Sequence, residues 1–178
     1  MTLPRNVERS SGGRRSAGLL PFRLGAGLEV FLGHLGGPLW ARKDAGAWTV
    51  IKGEYGPEES AEAAARREWA EETGLPVPRG RWIDLGEVRQ SGGKRVVAWA
   101  VGADEPSGAP VREDLDGAVS GTFTMQWPPR SGTMRDFPEL DRFGWFTAHA
   151  ARERIVAGQV PLLDRLVGSS PARRPGPP

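Results

Sequence analysis

Apolar and polar positions alternate in short runs through most of this chain. "SAGLLPF" (16–22) and "LEVFLGH" (28–34) are two such runs, and "RLGAG" between them predicts a hairpin. "AWTVI" predicts a third strand, ending at Lys52-Gly53. "WIDLGEV" and "RVVAWAV" flank "RQSGGK", a second hairpin signal. "GTFTMQW" predicts a further strand closed by Pro128-Pro129, and "DRFGWF" one more.

Helical patterns are fewer. Ser60 to Thr73 is dense in alanine, glutamate and arginine, which lose little side-chain freedom in a helix. Ser60 suits its start and Gly74 its left-handed end, and Pro76 and Pro78 prevent continuation. "TAHAARERIVAG" (147–158) predicts a second helix and "VPLLDRLV" (160–167) a short third. No internal repeat is visible. Mostly antiparallel strands with a few helices predict the α+β class.

Composition then narrows the picture. The chain has 178 residues, 38% hydrophobic and 26% charged, with seven tryptophans, which suffices for one domain with a real core. The first fifteen residues are net +3 and the tail from Gly168 is net +2; the whole is only +2, so the stretch between is net −3. The basic character therefore belongs to the ends. A nucleic-acid footprint needs a basic stripe on the folded surface, so no nucleic-acid partner is expected. The Ser-, Gly- and Arg-rich segment 1–15 and the tail 168–178 read as flexible, leaving 16–167 as the domain. Cysteine is absent, which removes disulfides, thiolate zinc sites and a cysteine nucleophile, and fits a cytoplasmic location. No apolar run approaches membrane-spanning length, so no membrane partner is expected.

The chemistry concentrates in "RREWAEETG", Arg66 to Gly74, with three glutamates in five residues. At 100° per residue, Ala61, Ala64, Ala65, Glu68 and Glu72 share one helix face, and Glu71 lies at its edge. Such a face lacks the Leu and Ile of a simple core stripe. It suits a helix that lies close to its neighbour and still presents oxygens, as a hard divalent cation requires. Taken alone, the stretch is read more readily as an exposed helix, with Glu62–Arg66 and Arg67–Glu71 as surface pairs.

The residues upstream change that balance. "GEYGPEESAEAAARREWAEETGL", Gly53 to Leu75, resembles the signature of the Nudix hydrolases, G-x5-E-x7-R-E-U-x-E-E-x-G-U, where U is a bulky apolar residue. Gly53, Glu59, Arg67, Glu68, Glu71, Glu72, Gly74 and Leu75 fill its places, and Trp69 stands where the family usually has Ile, Leu or Val. "WTVIKG" just before it is similar to the diadenosine-polyphosphate branch, which usually has Pro at the place of Ile51. The resemblance implies an α/β/α sandwich around a mixed sheet, with the box as loop–helix–loop. It implies hydrolysis of a nucleoside diphosphate linked to another group, with Mg²⁺ (or Mn²⁺) as cofactor. Glu68, Glu71 and Glu72 would be metal ligands, joined by a backbone carbonyl at Lys52 or Gly53. One of these glutamates, or a later acid, would take the proton of the attacking water; Glu139 in "DFPELDR" is the favoured later acid. Glu59 and Arg67 would form the ion pair tying loop to helix.

Phosphate binding needs cations, and Arg42, Lys43 and Lys52 precede the box, with Lys94 and Arg95 on the second hairpin. Trp40, Trp48 and Trp127 are candidates to stack on a base, although such residues are more often core. The small-molecule partner expected is a nucleotide-like diphosphate: a nucleoside triphosphate, a dinucleoside polyphosphate or a nucleotide sugar. The alternative is a nucleotide-binding sensor on the same fold, whose usual sign is a degraded box; this box is intact. An isopentenyl diphosphate isomerase-like activity would need the cysteine this chain lacks.

Overall fold

The computed structural model of the protein describes residues 13–103 and 120–169. The ends expected to be flexible lie largely outside these residues. Arg15, assigned above to the lead-in, already opens the first strand, and Gly168 and Ser169 still belong to the last helix.

Among the described residues nine strands and three α-helices follow in order: β1 (Arg15–Leu24), β2 (Leu28–Leu35), β3 (Trp48–Thr49), β4 (Ile51–Glu54), α1 (Ala61–Thr73), β5 (Trp82–Arg89), β6 (Arg95–Gly102), β7 (Thr122–Gln126), β8 (Met134–Pro138), β9 (Leu140–Thr147), α2 (Ala148–Arg154) and α3 (Val160–Ser169). Seven strands form one mixed sheet in the order β3-β2-β1-β6-β5, with β4 also on β1 and β9 also on β2. Both predicted hairpins are present, β1–β2 and β5–β6. The β1–β6 pair is parallel, over eight residue pairs from Arg15–Arg95 to Phe22–Gly102.

Strand alternation sends side chains to two separate cores. Ala17, Leu19, Phe31 and Ile51 point to one face, where Ala64, Ala65 and Trp69 of α1 cover them. Leu20, Val30, Leu32 and Val50 point to the other, under Ala151 of α2 and Leu162, Leu163 and Leu166 of α3. The result is the expected α/β/α sandwich of the α+β class.

Three local expectations are revised. The run "AWTVI" forms two short strands rather than one, because Val50 leaves the ladder and donates its N–H to the Gln159 side chain at 3.0 Å. The second helix ends at Arg154 and not Gly158, since Ile155 bridges to Trp48 and Val156 donates to the Trp48 carbonyl. Strand β8 was not anticipated; its residues are mostly exposed, and among the described residues it pairs only with β7, as a separate two-stranded hairpin.

Candidate active site

Helix α1 starts where the sequence places it. The Ser60 hydroxyl accepts the Ala63 N–H, and Gly74 closes the helix at φ 67° while donating to the Ala70 carbonyl. Ala64 and Ala65 are fully buried, so the helix backbone lies close to the sheet. That approach carries Glu68 and Glu72 below the surface, to 7% and 2% exposure. Trp69 fills the apolar slot of the box: it is buried against Phe31, ring centroids 6.2 Å apart, and its indole N–H donates to the Pro76 carbonyl.

Gly53 faces these carboxylates from strand β4. A Cβ on it would lie 1.9 Å from the Glu68 carboxyl group, so only glycine lets strand and helix meet here. The cavity so formed has a volume of about 370 Å³. Glu54, Glu68, Glu71, Glu72 and Glu139 line it, with Lys52, Lys94, Gly53 and Gly121. Five glutamates and two lysines thus share one small space.

Arg67 organises the rim. Its Nε and Nη2 donate to the two oxygens of Glu59 at 3.0 and 2.8 Å. Its Nη1 donates to Glu68 at 2.5 Å and to Glu71 at 2.9 Å, and Nη2 also reaches the Glu54 carbonyl at 3.2 Å. The ion pair expected between Glu59 and Arg67 is therefore one arm of a wider clamp. Because the guanidinium engages Glu68 and Glu71, the glutamates do not close on a common point. Among the described residues no three His, Cys, Asp or Glu side chains form a ready-made ligand cage.

Glu72 escapes the clamp. Its Oε2 is buried with no hydrogen-bond partner. Burial, followed by the charges of Glu139 and Glu68, pushes its carboxyl up to about 7. Burial also raises Glu68, against the pull of Arg67. Lys52 is lowered to about 8, chiefly by burial and then by Lys94. A buried, unpartnered carboxylate oxygen among other carboxylates suits a hard cation, and the donor set is all oxygen.

The other predicted residues separate. Lys52 lines the acidic cavity. So does Glu139, brought there by the β8–β9 junction from 67 positions beyond Glu72 in sequence. Trp48 does not reach it. Its ring packs edge-on against Phe146 and His34, its N–H donates to Asp44, and it is only 6% exposed. No open face remains for a base, so the stacking role expected of it is corrected to a core role. Lys43 lies over the Trp40 ring at 4.8 Å, and neither Lys43 nor Arg42 lines either of the two cavities described here.

Sequence reasoning overlooked Glu54 and gave His34 no role. Glu54 directly follows the box's first glycine, a signal that was available. His34 is fully buried, its Nδ1 2.6 Å from Asp141 Oδ1 and its Nε2 2.7 Å from the Lys43 carbonyl, and so ties the 36–47 segment to β9.

A second cavity, about 460 Å³, adjoins the first. Lys52 and Lys94 line both.

The family model described as NUDIX domain matches residues 14–166. Among solved structures, an Ap4A hydrolase binary complex from C. elegans superposes with a TM-score of 0.57 at 19% identity, covering 86% of this chain and 96% of that one. The NUDIX domain of Shewanella oneidensis NrtR, complexed with ADP ribose, gives 0.58 at 13% identity, with 92% of each chain covered. The MutT protein from Methanosarcina mazei Go1 gives 0.55 at 20% identity, covering 93% and 99%. At these identities the likeness establishes the fold. No curated protein matches the chain.

Proposed function

The chain belongs to the Nudix family and is, at the level of that family, a Nudix pyrophosphohydrolase; from this premise we propose that it is a Mg²⁺-dependent hydrolase of nucleotide-like diphosphates. The substrate proposed is a nucleoside diphosphate linked to a further group: a nucleoside triphosphate, a dinucleoside polyphosphate or a nucleotide sugar. One observation carries the proposal. The buried, unpartnered Glu72 oxygen stands in a cavity with Glu68, Glu71 and Glu139, beside the bare backbone of Gly53.

Glu68, Glu71 and Glu72, with the Gly53 backbone, are the proposed metal ligands. Bound there, Mg²⁺ would offset the charge of carboxylates and phosphates and acidify a water molecule. The remaining work falls to the chain. Arg67 and Glu59 fix the helix against the loop that precedes it. Lys52 offers a cation to the phosphates at the cavity floor. The water oxygen bonds to one phosphorus while that phosphorus releases the bridging oxygen, which departs with the bonding pair as part of a phosphate. The water's proton passes to a cavity carboxylate, and Glu139, which lines the cavity with Glu72, is the proposed acceptor.

The test is a panel of ATP, diadenosine tetraphosphate and ADP-ribose incubated with protein and Mg²⁺, with products read by mass spectrometry. One substrate or more should gain a single water across a P–O–P link, and chelation should stop it. Equal turnover by wild type and Glu72→Gln would defeat the assignment.

A further inference from the structure

The two adjoining cavities differ in sign. Five glutamates line the first. Among the described residues, the second has no acidic residue in its lining and carries Arg14, Lys52 and Lys94, with Trp40, Thr49 and Gln90 among its other walls. Lys52 and Lys94 therefore stand at the seam, each facing both spaces.

Lys94 is held there from two directions. The turn Ser91–Gly93 sets it at the foot of β6, and the Gln90 backbone N–H donates to the Lys94 carbonyl at 2.8 Å. Its ammonium group reaches Glu54 Oε1 at 3.1 Å, and Arg14 approaches the same oxygen at 3.6 Å. One carboxylate thus anchors two cations that border the second cavity. Only one-fifth of the Lys94 side chain is exposed, so an uncharged ligand group seated beside it would remove its remaining water and offer at best a neutral acceptor, weaker than a phosphate oxygen.

We infer that Lys94 is a specificity-determining residue that favours substrates carrying at least one phosphate beyond the diphosphate being cleaved. This inference rests on the reading above for the position of the reacting diphosphate. A chain of three or more phosphates leaves the acidic cavity with negative charge still to place, and the seam and the basic cavity receive it. A nucleotide sugar with only two phosphates extends a neutral sugar past the seam instead. Among the three proposed substrate classes, the polyphosphates are therefore preferred over the nucleotide sugar.

The experiment compares wild type, Lys94→Ala and Lys94→Arg with diadenosine tetraphosphate and ADP-ribose. Turnover is measured with Mg²⁺, and binding by calorimetry in a Glu72→Gln background. The ratio of kcat/KM for the tetraphosphate over that for ADP-ribose should fall about tenfold or more in Lys94→Ala, mostly through KM, and be largely restored in Lys94→Arg. Circular dichroism confirms that each variant is folded. A ratio that stays within twofold of wild type overturns the inference while leaving the hydrolase reading intact. If no substrate is turned over, the hydrolase reading fails; the same loss of tetraphosphate preference in the calorimetry then still supports the role of Lys94, and its absence overturns it.

Discussion

Helix α3 meets the sheet through Leu162, Leu163 and Leu166, whereas α1 meets the opposite face through Ala64, Ala65 and Trp69 and gives its next inward positions to Glu68 and Glu72. The first arrangement buries apolar area at the usual return of about 25 cal/mol per Å². The second gives up part of that return. Alanines let the helix backbone come near, Trp69 restores bulk at one position, and two carboxylates go under at a cost in hydration. Both faces of the sheet thus bury a core, and the α1 face also gathers carboxylate oxygens where the proposed cation and phosphates would meet.

The strongest test of that contrast replaces one carboxylate. Glu72→Gln keeps the shape of the side chain and removes its charge. The proposed activity should drop about 10³-fold or more, with the circular dichroism spectrum unchanged. Steady-state kinetics on the best substrate of the panel checks this. Retained activity would reduce the acidic face to an ordinary helix surface.

Leu162→Ala probes the other face. Leu162 is fully buried among Leu20, Val30 and Leu32, so its truncation should destabilise the protein by about 2–5 kcal/mol in urea unfolding. KM should hold for the fraction that remains folded. A change in KM comparable to that of a site variant would mean that the two faces are not separate in function.

Gly53→Ala sharpens the comparison at the seam of strand and helix. The added methyl would collide with the Glu68 carboxyl group, which must swing away or push β4 from α1. We expect about a 10²-fold loss of kcat, with a smaller loss of stability than Leu162→Ala. Equal effects on both would show that the glycine serves packing alone.

The smallest effect is in pH dependence. Glu72 titrates near 7 in the fold against an ordinary 4.5, so its protonated form is the one that folding favours. Its contribution to stability is complete below about 4.5 and is lost as pH rises through about 7. Metal-free protein should therefore show a Tm that declines across this window by a few degrees. Mg²⁺ should recover the loss at pH 8, where the carboxylate is charged, and do little at pH 5. In Glu72→Gln both the decline and the recovery should shrink. Scanning fluorimetry with and without chelator measures all four conditions.

Residues that act within one turn or two of helix could be read before the structure. Glu68, Glu71 and Glu72 are fixed relative to one another by the helical repeat, and Ser60 and Gly74 bound that helix by local capping. Gly53 and Lys52 follow from the same short stretch. Glu139 and Lys94 come to the cavity from the β8–β9 junction and from the turn before β6, where no local period announces them. Trp48 shows the limit from the other side: a tryptophan in a strand has the same pattern whether its ring meets a ligand or Phe146. Strand β8 escaped because "MRDFP" has little apolar alternation and takes its shape from pairing with β7.

By itself, then, the sequence determined the glutamate-bearing helix and the alternation that gives the sheet two apolar faces, because each depends on contacts a few residues apart; Gly53 was legible only through the resemblance to the family signature. Only the tertiary structure decided that Arg67 holds Glu59, Glu68 and Glu71 at once, that one Glu72 carboxylate oxygen is buried without a hydrogen-bond partner, and that an acidic cavity adjoins a basic one. Burial and charge neighbourhood are sums over the whole surroundings of a group, and those surroundings exist only once strands far apart in the chain lie side by side.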